Sequence, residues 1–159
     1  MPNAAKPIPE GYHTITAHLM LDDAAGAIEW YKKGFGAQEI ARHLGPDGTI
    51  MHAVIKIGDS VLIMNDVMHG AKGPKAFGGS PASLWLYVEN ADALFDRAVA
   101  AGATVRVPIG DQFWGDRGGA VTDPGGYTWW IATRREDLTG AELDQRAADF
   151  YAQMSRPAR

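Results

Sequence analysis

The chain carries the same punctuation twice at a constant spacing. Asp22 and Glu89, Asp23 and Asn90, and Gly58 and Gly125 each stand 67 residues apart. Gly36 and Gly102, which close two predicted helices, stand 66 apart, a difference that takes one deletion. Identity between the halves is low, so the repeat is one of structure. A unit of this length holds one helix and several strands, so two modules of one topology are expected, paired within one chain or exchanged between two.

Within each copy the periodicity changes from strand to helix and back. Residues 12–21 alternate and are rich in Thr, Ile and Leu, which predicts a strand. Asp22 and Asp23 then offer an N-cap, and Ala24, Ala27, Ile28 and Tyr31 recur at helical spacing. Gly34 and Gly36 are expected to end that helix. Residues 38–44 and 49–57 flank the turn 45–48 as a hairpin, and Gly58-Asp59 leads into a fourth strand at 61–65. After a Gly- and Pro-rich loop the order restarts: a strand at 84–89, an Asn90 cap, and a helix with the stripe Ala91, Leu94, Phe95 and Ala98. Strands at 104–108, 120–122 and 128–133 complete it, the last two joined by Asp123-Pro-Gly-Gly126. The predicted fold class is α+β, two βαβββ modules with a C-terminal helix. The divisions are a flexible Pro-rich arm (1–11), a first module (12–66), a connecting loop (67–81), a second module (82–134) and the helical tail (135–159). In that tail Thr139 and Glu142 form a capping box, followed by the stripe Leu143, Ala147, Phe150, Tyr151 and Met154. Such a stripe is expected to cover an apolar surface, either its own sheet or a partner's.

Composition narrows the function classes. The 159 residues carry a net charge of -4, and Lys32–Lys33 and Arg134–Arg135 are isolated pairs, not a basic stripe, so neither nucleic acid nor anionic lipid is an expected partner. Without cysteine there is no disulfide, thiolate metal site or cysteine nucleophile. The first ten residues lack the apolar run of a signal peptide, and no stretch approaches the ~20 apolar residues of a membrane span. The expected location is the cytoplasm.

Several motifs occur in order along this frame. They are Asp-Ala-Ala-Gly-Ala-Ile-Glu-Trp-Tyr (23–31), Phe35-Gly36-Ala37, Phe113-Trp-Gly-Asp-Arg117, Asp123-Pro-Gly-Gly126 and Trp130-Ile-Ala-Thr133. Together with the doubled βαβββ pattern they resemble the vicinal oxygen chelate superfamily, in its PhnB-like glyoxalase/bleomycin-resistance branch, over residues 12 to 135. The resemblance implies curved mixed sheets around a cup, often completed in a homodimer. Within the superfamily that cup serves metal-dependent isomerases, ring-cleaving dioxygenases, thiol transferases and metal-free drug-binding proteins, so the fold alone does not give the activity.

The metal ligands of such relatives come from the first and last strands of each module. Counting from the helix start and from the glycine turns places those positions at Thr16, Ser83, Ile63 and Trp130. Their side chains cannot hold a divalent ion, which takes carboxylate oxygen or imidazole nitrogen. No metal and no other cofactor is therefore expected. Histidines offer an alternative. His13 and His18 differ in strand parity, His43 and His52 flank a turn, and His69 lies in the connecting loop. For each, ligation stands against an ordinary hydrogen-bonded role. His18 shares the cup-facing parity of Thr16 and would either orient a ligand, act as a general base, or bond to a neighbour at the rim. His52 lies in a run similar to the PhnB-like pattern.

Aromatic residues crowd the second module. If Ser83 faces the cup, so do Trp85 and Tyr87; if Trp130 does, Trp129 points away. Trp114 would close one side, and the set would stack a flat ligand or fill the cup itself. Arg117 would either clamp an anionic group or pair with Asp116 to hold its own loop. The leading expectation is a metal-independent binder of planar or aromatic small molecules, in the manner of bleomycin-resistance proteins. Against it stand a lyase or dioxygenase with an ion displaced onto His18, His43 or His52, and an interaction module acting through its outer face or terminal helix.

Overall fold

A computed structural model describes residues 5–155; part of the predicted Pro-rich arm, Pro2 included, lies outside the described residues. Strands β1 (Ala17–Leu21), β2 (Gln38–Leu44), β3 (Ile50–Ile57) and β4 (Ser60–Asp66) surround helix α1 (Ala24–Phe35) in sequence. Strands β5 (Ser83–Tyr87), β6 (Thr104–Asp111), β7 (Asp116–Thr122) and β8 (Thr128–Arg134) do the same around helix α2 (Ala91–Ala100). Helix α3 (Gly140–Met154) follows. The two sheets have the orders β1-β4-β3-β2 and β5-β8-β7-β6, one topology built twice. In each, the first strand runs parallel to the last and the remaining pairs are antiparallel.

The repeat extends to single hydrogen bonds. Asp23 caps α1 by accepting from Gly26 N, and Asn90 caps α2 by accepting from Ala93 N. The first helical amide of each module, Ala24 or Ala91, donates to a side chain of the last strand, Asp66 at 2.7 Å or Thr133 at 2.9 Å. Those two acceptors are themselves 67 residues apart. Each helix start is thereby fixed to the C-terminal end of its module's last strand, inside the sheet. Gly36 takes the left-handed conformation (φ 68) that ends α1. Gly34 instead lies inside the helix, where a Cβ would meet the Trp30 ring at 3.2 Å.

The two helices pack side by side, and the core lies between them and the sheets. Its centre is aromatic: the Trp129 ring meets Tyr31 at 5.6 Å and Phe35 at 5.0 Å, both edge-on. Trp129 is almost fully buried.

Three expectations need correction. The first strand begins at Ala17 rather than residue 12, because the chain bends at residues 14–15, where the Thr16 hydroxyl donates to His13 O and takes the backbone out of line with β4. Strands β6 and β7 are longer than predicted. Gly118 and Gly119, poor strand formers by composition, sit inside β7 because the neighbouring backbones leave no room for a Cβ. Helix α3 forms its capping box as predicted, yet buries none of its residues. Of the two surfaces expected for it, its own sheet is not covered; Phe150 meets Phe113 of the β6–β7 turn, at 5.0 Å. Among the described residues no helix is long and apolar enough to cross a membrane.

Candidate functional site

Parallel pairing of β5 with β8 sets Ser83 beside Thr128, Trp85 beside Trp130 and Tyr87 beside Ala132. Side chains alternate along a strand, so these residues share one face, and Leu84, Leu86 and Trp129 take the other against the core. The Trp85 and Trp130 rings stack at 4.9 Å with planes 8° apart. Trp114, in the turn between β6 and β7, meets both edge-on at 6.0 and 5.7 Å. Tyr87 lies 6.0 Å from Trp85.

A buried carboxylate holds this group in place. Asp116 Oδ2 accepts the Tyr87 hydroxyl and the Trp114 indole N–H, both at 2.9 Å. Partial burial, then the bond to Asp116, pushes the Tyr87 phenol above its ordinary value, so it stays a neutral donor. Asp116 is only 4% exposed, whereas Trp85 is 42% exposed and Tyr87 61%. Tyr87 and Trp114 are thus fixed by their polar tips, and Trp85 and Tyr87 stay open on a ring face. Trp85, Tyr87 and Trp114 bound a hollow of about 360 Å³. A second hollow, of about 810 Å³, runs between the open edges of β1 and β5; Thr16 and Ser83 line it with Trp85 and Tyr87.

The matching face of the first sheet is polar. His18 stands opposite Ile63 and donates from Nε2 to Asn65 Oδ1, while Asn65 Nδ2 donates to Asp66 O. His52 pairs directly with His43 across the hairpin, their rings 6.1 Å apart. His18, His52 and Ile63 therefore share a face but make no contact with the tryptophans of the other sheet that would join them in one cluster.

Arg117 sits elsewhere. In β7 the residues opposite Trp130 and Ala132 are Ala120 and Gly118, so alternation turns Arg117 to the helix side. There it makes a bidentate pair with Asp92 of α2, at 2.6 and 2.7 Å, and a third bond to Asp111. Its pairing with Asp116, one of the two expected roles, is not formed. Asp116 was read from the sequence as a partner for Arg117 and not as an anchor for the rings, and Asn65 was not singled out. Strand parity is the signal that could have found Asp116, since it shares the alternation of Ala120 opposite Trp130.

The four positions counted from the sequence as ligand positions are Thr16, Ile63, Ser83 and Trp130. A hydrocarbon, an indole and two hydroxyls are not a donor set for a divalent ion. Among the described residues no group of three or more His, Asp or Glu is placed to hold one.

Comparison with known proteins agrees with this architecture. A family model described as the Glyoxalase/Bleomycin resistance protein/Dioxygenase superfamily matches residues 12–131. The chain is 45% identical over 134 residues to Mb0911c of Mycobacterium bovis, described as uncharacterized, covering 81% of this chain and 88% of that one. The crystal structure of the At5g48480 gene product of Arabidopsis thaliana matches with a TM-score of 0.64 at 28% identity, covering 76% of this chain and 98% of its own. The PhnB protein of Bacillus cereus matches with a TM-score of 0.60, covering 76% and 99%; at 19% identity that likeness concerns the fold.

Proposed function

Because the chain belongs to the glyoxalase/bleomycin resistance protein/dioxygenase superfamily, we propose that it binds a planar aromatic small molecule, without a metal ion, against Trp85, Trp130, Trp114 and Tyr87. One observation carries the reading: the stacked Trp85–Trp130 pair keeps its exposed face in a hollow whose walls are held by Asp116. Exposed, oriented tryptophans are costly to leave in water and gain by stacking a ring, each aromatic contact contributing about 0.5–1.5 kcal/mol beyond area burial. The polar tips of Tyr87 and Trp114 are already satisfied by Asp116, so those two residues offer a ligand their ring faces, and a family of related flat ligands is accepted.

The test is a titration of tryptophan fluorescence with a panel of aromatic antibiotics and metabolites, paired with thermal shift. Saturable quenching that disappears in Trp85→Ala supports the proposal; no quenching and no shift across a broad panel overturns it.

A second reading has its own observation. The cross-strand His43–His52 pair is a two-nitrogen partial site, and a superfamily lyase or dioxygenase with a displaced ion would use it. His18 is a weaker contributor because Asn65 already engages its ring nitrogen. Elemental analysis of protein purified without a metal-affinity step separates the two readings: a stoichiometric transition metal favours the enzyme.

A further inference from the structure

The ring-binding face of the second sheet continues into a cationic hollow. Beyond Trp85 and Trp130 the same register carries Ser83 and Thr128, and β7 adds Thr122 opposite Thr128. Over this end of the sheet arches the connecting loop, whose short 3-10 turn Pro74–Phe77 is seated on the β7–β8 turn. The seating is close: a Cβ on Gly126 would lie 3.1 Å from Pro74 Cβ and 3.6 Å from Lys75 Cγ. Between loop and sheet is a hollow of about 850 Å³, lined by Lys75, Ser80, Arg106, Thr122 and Thr128 among others.

The charges in that hollow are not used by the protein. The register shift between Val105 and Val107 leaves Arg106 out of the ladder, and its side chain lines the hollow. Among the described residues no carboxylate lies within ion-pair distance of Arg106 or Lys75, although the other strand arginines, Arg42, Arg117 and Arg134, each have one. The opposite end of the same face carries the Asp116 carboxylate. One face therefore runs from a negative end, across stacked indoles, to hydroxyls and two free cations.

We propose that the ligand is an aromatic acid, its ring against Trp85 and Trp130 and its carboxylate at Arg106 and Lys75. The proposal rests on the ring-binding reading and adds the chemistry of the second half of the ligand. Two residues along a strand span about 7 Å, so the hydroxyls of Ser83 and Thr128 begin about that far from the indoles. A ring with its acid on a two- or three-atom linker sets the carboxylate over those hydroxyls, and Arg106, whose strand lies about 10 Å across the sheet from β8, meets it there through the length of its side chain. Arginine offers its fork to the carboxylate, lysine a point charge, and threonine hydroxyls complete the oxygen's partners. Asp116 at the far end repels the acid and fixes the orientation.

The experiment compares 3-(2-naphthyl)propanoate with its neutral isostere 3-(2-naphthyl)propanamide by calorimetric titration of the full chain. The acid is expected to bind about tenfold more tightly at low salt, as a charge-assisted contact provides. That preference shrinks as salt is raised, because the cations are exposed. In Arg106→Gln and Lys75→Gln, with folding checked by thermal melts, the acid-over-amide ratio falls to about twofold or less. Equal binding of acid and amide by the unaltered protein, with both lost in Trp85→Ala, overturns the acid and leaves ring binding standing. An acid preference that survives both glutamine variants also overturns it. Failure of both compounds to bind removes this proposal together with the ring-binding reading.

Discussion

Tyr31 of α1 donates its hydroxyl proton to Asp123 Oδ2 at 2.5 Å, a bond from the first module's helix to the second module's glycine turn, 92 residues away. The same oxygen accepts the Trp129 indole at 2.8 Å, and Asp123 Oδ1 accepts Tyr127 N. One buried carboxylate thus joins both modules and both sides of the aromatic core. The turn read from sequence as mere punctuation is a structural junction.

Tyr31→Phe tests that junction. It removes a donor from a buried carboxylate while keeping the ring, and is expected to cost about 1–3 kcal/mol in urea unfolding. A pH signature accompanies it. Burial first, then Asp123, pushes the Tyr31 phenol well above its ordinary value. Below about pH 10 neither folded nor unfolded chain ionises it, so its contribution is fully present. As pH rises further the unfolded chain releases the proton while the folded one keeps it, and stability falls. Tyr31→Phe should flatten that alkaline decline, and Tyr87 and Tyr127, also raised, should retain the rest. An unchanged slope would show that the Tyr31 phenol is not raised in the folded protein.

Arg117→Gln separates the helix clamp from the ring site. Arg117 lowers the Asp92 carboxyl, so the pair contributes above the ordinary carboxylate range and is lost as pH falls. Both groups are partly exposed, so melting temperature is expected to drop by no more than a few degrees near neutrality. Affinity for an aromatic ligand, followed by fluorescence quenching, should stay unchanged. A large affinity loss would put Arg117 back among the ligand contacts.

The order of strands and helices was legible because its signals are local: caps at Asp23, Asn90 and Thr139, glycine closures, and alternation. Strand parity also foretold that Trp129 and Trp130 point opposite ways, since side-chain direction depends only on position along the strand. What depends on partners was not legible. What Arg117 grips is set by α2, an element remote in sequence. The anchoring roles of Asp116 and Asn65 were missed for the same reason. A single acidic or amide residue has no periodic signature, and its importance comes from donors delivered by other strands.

The glycines of β7 can be distinguished by what surrounds them. A Cβ on Gly119 would lie 2.7 Å from Val107 O and 2.9 Å from Ile109 Cα, both backbone atoms that cannot turn aside. Gly119→Ala is expected to destabilise by about 3 kcal/mol. Gly110, in the facing strand, has nothing within 4 Å of an added Cβ, and Gly110→Ala should stabilise slightly, by about 0.5 kcal/mol, through the unfolded chain. Chemical denaturation of both variants measures the contrast. Equal effects would mean that β6 and β7 approach less closely than described.

Two tryptophans on adjacent elements of one sheet should respond in opposite senses. Trp85 is 42% exposed, and its neighbours Trp130 and Trp114 remain in contact without it. Trp85→Ala therefore removes ring-binding surface and little core, and affinity for an aromatic ligand should weaken about tenfold while stability moves little. Trp129 is 1% exposed, packs edge-on against Tyr31 and Phe35, and donates to Asp123. Trp129→Phe keeps most of the volume but leaves Asp123 one donor short, for an expected loss of about 1–3 kcal/mol. Its ligand affinity, measured well below the unfolding transition, should match that of the unaltered protein. If instead Trp85→Ala unfolds the chain with no separate effect on binding, these indoles are core filling rather than a docking wall.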